Sequence, residues 1–154
     1  KMAKTLEIYN KFKNIPGGKL LFTKALTFRV PYFSTIHPKI QSLQAGFCRV
    51  GIRNRRSIQN HLKSVNAGAL CTLSELTGGL AVEASIPSNL RWIPKGMTVE
   101  YVKKAYGSLK STCSFDPMIL KPGDTELEVN VTNEKDEVVF RSAITFYISS
   151  RRAH

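Results

Sequence analysis

The order of elements along this chain predicts an α+β fold, not alternating strand–helix–strand units. Three observations carry the prediction. Two stretches of helical periodicity lie before residue 40, one helical segment occupies residues 67–77, and the periodic runs after it have strand character. At 154 residues the chain fits a single domain, long enough to bury a core without a disulfide or metal staple.

Residues 4–14 place Leu6, Ile8, Tyr9 and Phe12 at helical spacing, and Pro16, Gly17 and Gly18 then break the run. Residues 19–29 form a second amphipathic pattern with Leu20, Leu21, Lys24, Ala25 and Phe28, stopping before Pro31 because a residue ahead of proline avoids helical geometry. Residues 30–38 are aromatic and irregular. Residues 46–52 alternate with period two, as a half-buried strand does. Asn66 is a good N-cap for a helix over 67–77, and Gly78 with Gly79 a good stop. Strand-like runs follow at 80–86, 97–106, 108–115, 125–133 and 138–149, the last after a turn at 133–136. This organisation predicts an N-terminal helical extension over residues 1–39 and a main body over 40–150. Lys1 ahead of Met2 has the look of a remnant outside the natural chain.

Charge is unevenly spread. The chain has 23 Lys and Arg against 11 Asp and Glu, a net +12, and residues 1–56 hold twelve bases against one acid, Glu7. A basic first third points to an anionic partner: a phosphate-bearing ligand, nucleic acid or an acidic lipid surface. Nucleic acid is disfavoured, since Arg53, Arg55 and Arg56 belong to no recognisable motif. Cys48, Cys71 and Cys113 are odd in number and lack C-x-x-C spacing, which predicts reduced core thiols and a cytoplasmic protein. His37, His61 and His154 stand apart from acids at ligand spacing, so neither a metal nor another cofactor is expected. No apolar run is long enough to span a bilayer.

The stretch from residue 60 to 79 stands out. At 100° per residue, Gly68 lies about 20° from Glu75 around the helix and Cys71 and Thr72 within about 60°, so the lone carboxylate stands in a stripe of small residues. Such a stripe leaves room for a substrate or for close packing; a glutamate on an amphipathic helix is ordinarily a solvated charge. Gly68 and Glu75 are separated by about 10 Å along the axis. If the N-terminal amides and the carboxylate act on one small group, two copies of the helix must share the site.

The same stretch resembles the active-site segment of hotdog-fold acyl-CoA thioesterases of the phenylacetate and 4-hydroxybenzoyl-CoA types. Those carry an Asn, six residues later a His-Gly-Gly, and an acid seven residues beyond the second Gly. Asn60, Gly68 and Glu75 match in type and spacing, while Asn66 stands at the His and Ala67 at the first Gly. The later runs, closing over 140–146, also look like a hotdog domain: an antiparallel sheet wrapped around a long central helix, here with two extra N-terminal helices. Residues 91–101 are similar to an uncharacterised bacterial thioesterase-like branch.

The resemblance implies hydrolysis of an acyl-CoA in a homodimer or dimer of dimers. Glu75 would be general base or nucleophile, Asn60 would orient water or the acyl carbonyl, and Ala67 and Gly68 amides would hold the oxyanion. Asn66 can donate a hydrogen bond there but cannot shuttle a proton. Arg91, Trp92 and Lys95, or Arg56 with its neighbours, are the candidates for gripping CoA. The aromatic pair Tyr32 and Phe33, with the helices before it, could cover an acyl tunnel, which would favour a medium- or long-chain acyl group. The alternative is a non-catalytic acyl-CoA-binding hotdog protein, which Asn66 at the His position favours.

Overall fold

A computed structural model describes residues 3–151; Lys1, Met2 and His154 lie outside the described residues. Two helices open the chain, α1 (Lys4–Phe12) and α2 (Gly18–Arg29), followed by a 3-10 turn at Pro31–Ile36. Strands β1 (Lys39–Gln44) and β2 (Phe47–Arg53) come next, then helix α3 (Ala67–Glu83). Four strands complete the chain: β3 (Leu90–Tyr101), β4 (Ser108–Ser114), β5 (Gly123–Thr132) and β6 (Val138–Ser150).

The six strands form one antiparallel sheet in the order β1-β2-β4-β5-β6-β3. The sheet is therefore not a simple meander. β3 crosses to the far edge and pairs with β6 from Leu90↔Ser150 to Tyr101↔Phe140. β4, β5 and β6 bury alternate residues on one face, and α3 lies across that face, whereas edge strand β3 buries only Leu90. Leu73, Leu76 and Leu80 of α3 meet Val129, Ile144 and Phe146 in the same core, each buried leucine contributing roughly 1.5–3 kcal/mol. This is the hotdog architecture, an α+β fold with the helix wrapped by its sheet.

α3 runs six residues past the stop suggested by Gly78 and Gly79, and residues 80–86 belong to the helix and its exit, not to a strand. The glycines serve close approach instead. A Cβ on Gly78 would stand 3.1 Å from Ile144 Cδ1 and one on Gly79 3.0 Å from the Trp92 ring. The sheet thus fills the space that these two glycines leave on α3. β1, broken by an irregularity between Ile40 and Ser42, has no clean alternation in the sequence. β3 begins at Leu90, seven residues before the predicted run, because Pro94 sits next to a register shift at a sheet edge, where a missing N–H is tolerated.

The helical extension covers the other edge of the sheet. Along β1, the Gln41 carbonyl accepts from Lys19 Nζ at 2.8 Å and Tyr9 Oη at 3.5 Å, and the Ile40 N–H donates to Thr23 Oγ1 at 3.3 Å. These bonds occupy groups that an uncovered edge would offer to another strand. β3 is the edge that α1 and α2 leave uncovered.

Candidate active site

Asn66 starts α3 in extended backbone (φ −62°, ψ 143°), and its Oδ1 accepts from the Gly68 N–H at 2.7 Å. The sequence-predicted cap is therefore in place, and it engages one of the amides expected to face a substrate. The first-turn N–H of Ala67 has no partner within the helix by construction of any α-helix. The preceding loop is tied down on both sides: the Asn66 N–H donates to the Ile58 carbonyl at 2.8 Å and the Val65 N–H to Ala105 at 2.9 Å.

Asn60 holds that loop with its whole amide. Its Oδ1 accepts from Leu62 N at 3.0 Å, Ser64 N at 3.2 Å and Ser64 Oγ at 3.1 Å, while Nδ2 reaches Ser64 Oγ at 2.9 Å. In this arrangement Asn60 shapes the approach to α3.

Two cavities flank the start of α3. One, of about 300 Å³, is bounded by Asn66, Gly68 and Thr72 on the helix and by Tyr32, Ile36 and Ile58 opposite. The other, of about 390 Å³, contains Asn60, Ala67 and Leu70 together with Tyr101 and Lys103. The five predicted catalytic residues are thus divided: Asn66 with Gly68, Asn60 with Ala67, and Glu75 on neither wall. Glu75 is the exposed position in the middle of a helix whose other central residues are buried or half-buried. Half-buried Cys71 lies one turn before it, with burial raising its thiol pKa.

The predicted CoA-binding residues are also divided. Trp92 packs on Gly79, meets Phe146 edge-on with centroids 5.5 Å apart, and donates from Nε1 to Glu83 Oε2 at 2.7 Å. Its ring is part of the α3–sheet contact. Arg91 and Lys95 extend from the opposite face of the sheet, bonded to Ser149 Oγ at 3.1 Å and Asp124 Oδ2 at 2.6 Å. Arg56 is exposed in the short 3-10 turn Arg56–Ile58, and the next three residues, Ser57, Ile58 and Gln59, line the smaller cavity. Of the basic residues singled out, Arg56 lies nearest in the chain to the start of α3.

Thr72 and Lys103 were not legible as site residues. Thr72 Oγ1 donates to the Gly68 carbonyl at 2.9 Å, a bond any helical threonine can make, and Lys103 is placed only by the return of the chain after β3. No group of three His, Cys, Asp or Glu side chains suited to a metal occurs among the described residues, and none of their helices is long and apolar enough to cross a membrane.

Residues 18–148 match the family described as a domain of unknown function, DUF4442. The chain belongs to this family. It is 33% identical to the protein solved as genomics target APC5556, covering 96% of this chain and 99% of that one with a TM-score of 0.85. The Pseudomonas aeruginosa protein PA5026, called a "Probable Thioesterase", is 26% identical over 81% of this chain and 91% of its own, with a TM-score of 0.75. A Haemophilus influenzae thioesterase, HI1161, shares the fold at 11% identity, with 80% and 85% coverage and a TM-score of 0.70. No curated protein matches the sequence. This DUF4442 chain is a hotdog protein similar in structure to thioesterases.

Proposed function

We propose that this DUF4442 protein is an acyl-CoA thioesterase acting on a medium- or long-chain acyl group. The observation that carries this reading is the pairing of an open helix start with a single exposed carboxylate on the same otherwise covered helix. In the reaction, the thioester carbonyl points at the positive end of α3, where the Ala67 N–H and the side-chain NH2 of Asn66 hold the developing oxyanion, the Gly68 N–H being taken by Asn66 Oδ1. Glu75 takes a proton from water as the water oxygen bonds to the carbonyl carbon. The C–S bond then breaks and the CoA thiol leaves with a proton. Direct attack by Glu75, giving an anhydride that water opens, needs the same placement.

Tyr32, Ile36 and Ile58 supply apolar wall for the acyl chain, and Arg56 is the favoured contact for a CoA phosphate. Because Gly68 and Glu75 are about 10 Å apart along one axis, Glu75 serves the helix start of a second protomer. The homodimer forms through β3, a twelve-residue edge strand with exposed Ile93 and Tyr101. Its setting is a reducing, cytoplasmic one in which the three cysteines stay free thiols.

The second reading, a binder without turnover, is favoured by the Asn66–Gly68 bond, which fills an amide that an oxyanion would need. Hydrolysis of acyl-CoAs of graded length by wild type and Glu75→Gln tests both. Turnover lost in the variant supports the enzyme; tight binding with no turnover in either protein supports the binder; equal rates in the two proteins remove Glu75 from the reaction.

A further inference from the structure

Helix α2 leaves one face without a partner in the fold. Phe22 and Thr23 are buried and Leu26 packs on the core, whereas Leu20, Leu21, Lys24, Ala25 and Phe28 all point outward. At 100° per residue these five fall within an arc of about 140°. Phe28 is 89% exposed, more than any other large apolar side chain among the described residues, and Tyr32, four residues on, is 69% exposed.

Charge selects the occupant. Residues 3–39 contain seven Lys and Arg against one acid, Glu7. Lys24 stands inside the apolar arc and Arg29 at its border. A second copy meeting this one through the same face would set these cations against their own images. A surface that is apolar below and anionic above accommodates both features, as basic amphipathic helices do when they lie in a lipid interface. The position in the fold is compatible: α2 covers β1, at the sheet edge opposite β3, so pairing through β3 leaves the α2 face open.

We propose that the outward face of α2, continued by Tyr32, docks on an anionic lipid surface. Leu21 and Phe28 enter the headgroup–acyl boundary while Lys24 and Arg29 meet lipid phosphates. Tyr32 also forms a wall of the cavity beside Asn66 and Gly68, so docking would turn that cavity toward the lipid. The advantage of this for a long-chain substrate rests on the thioesterase reading, but the docking itself does not.

Flotation of the full chain with large vesicles tests the proposal, using phosphatidylcholine alone or mixed with phosphatidylglycerol. Wild type is expected to float with the anionic vesicles and about tenfold or more weakly with the neutral ones, with binding falling as salt rises. L21S/F28S and K24E/R29E are each expected to weaken anionic binding about tenfold or more with an unchanged melting temperature, because all four side chains are exposed. Failure of wild type to float with anionic vesicles would overturn the proposal. So would loss in K24E/R29E with none in L21S/F28S, the pattern of electrostatic adsorption of a basic chain without entry of the α2 face into the lipid.

Discussion

The Trp92 ring lies 3.0 Å from where a Cβ on Gly79 would stand. It cannot retreat easily, since Phe146 meets it edge-on at 5.5 Å and Glu83 holds Nε1 at 2.7 Å. Glu83 is in turn reached by Thr5 Oγ1 at 3.3 Å, so α1, α3 and β3 converge on one carboxylate. Gly79→Ala gains about 1 kcal/mol of helix propensity but incurs roughly 1–3 kcal/mol of overpacking. The expected net result is a loss of about 1 kcal/mol in urea unfolding, with a shift in tryptophan emission. If the ring were instead a loose lid for a ligand, Gly79→Ala would raise stability.

That contact explains where the sequence was a poor guide. A Gly-Gly pair after a helical run has the same local signature whether it ends the helix or lets a sheet approach it; the distinction depends on Ile144, Phe146 and Trp92, far along the chain. β1 was obscured by its irregularity at Gln41, and the start of β3 by Pro94. The N-cap at Asn66 was legible because capping is decided within three residues. The isolation of Glu75 was legible because helical spacing alone sets which face it shares. The role of Asn60 as a loop clasp was not, because its bonding to Ser64 depends on how the loop folds back.

The two asparagines separate by substitution. Asn66→Ala removes the cap on Gly68 and should cost about 1 kcal/mol, whereas Asn66→Asp keeps the acceptor and adds a charge favourable to the helix dipole. Asn60→Ala strands the part-buried Ser64 N–H and should cost roughly 1–3 kcal/mol. Asn60→Asp retains the oxygen that accepts three bonds and should unfold close to wild type. Urea titrations of the four variants provide the comparison, and equal stability of Asn60→Ala and wild type would remove the clasp.

Cys48 and Cys113 face each other across β2 and β4, both fully buried. Burial pushes the Cys113 thiol up to about 12, and burial with the neighbouring Cys113 pushes Cys48 higher still. The native state therefore keeps both protons where the unfolded chain, with thiols near pKa 8.5, releases them. The stability associated with these thiols is full below about pH 8.5 and declines as pH rises toward 12, by up to about 1.4 kcal/mol per pH unit for each thiol. Urea unfolding at pH 8, 9 and 10 should show the decline, and Cys113→Ala should make it shallower. In the folded protein a thiol reagent should modify Cys71 well before the other two. Equal reaction of all three would mean that the β2–β4 pair opens readily.

Ala67 permits a clean test of the shared site. It occupies the first position of α3, where proline is tolerated, and Asn66 before it is already extended as a pre-proline residue must be. Ala67→Pro thus removes one N–H donor while leaving the helix intact, and should lower hydrolysis about 10²–10³-fold with little change in melting temperature. Glu75→Gln should likewise be folded and impaired. In a dimer where one chain supplies the amides and the other the carboxylate, co-refolding the two variants creates mixed dimers with one intact site and one doubly defective site. Half the dimers are mixed and each has one of its two sites, so about a quarter of wild-type turnover should return. If each chain carried a complete site, mixing would restore nothing, and the distance between Gly68 and Glu75 would have to be bridged within a single chain.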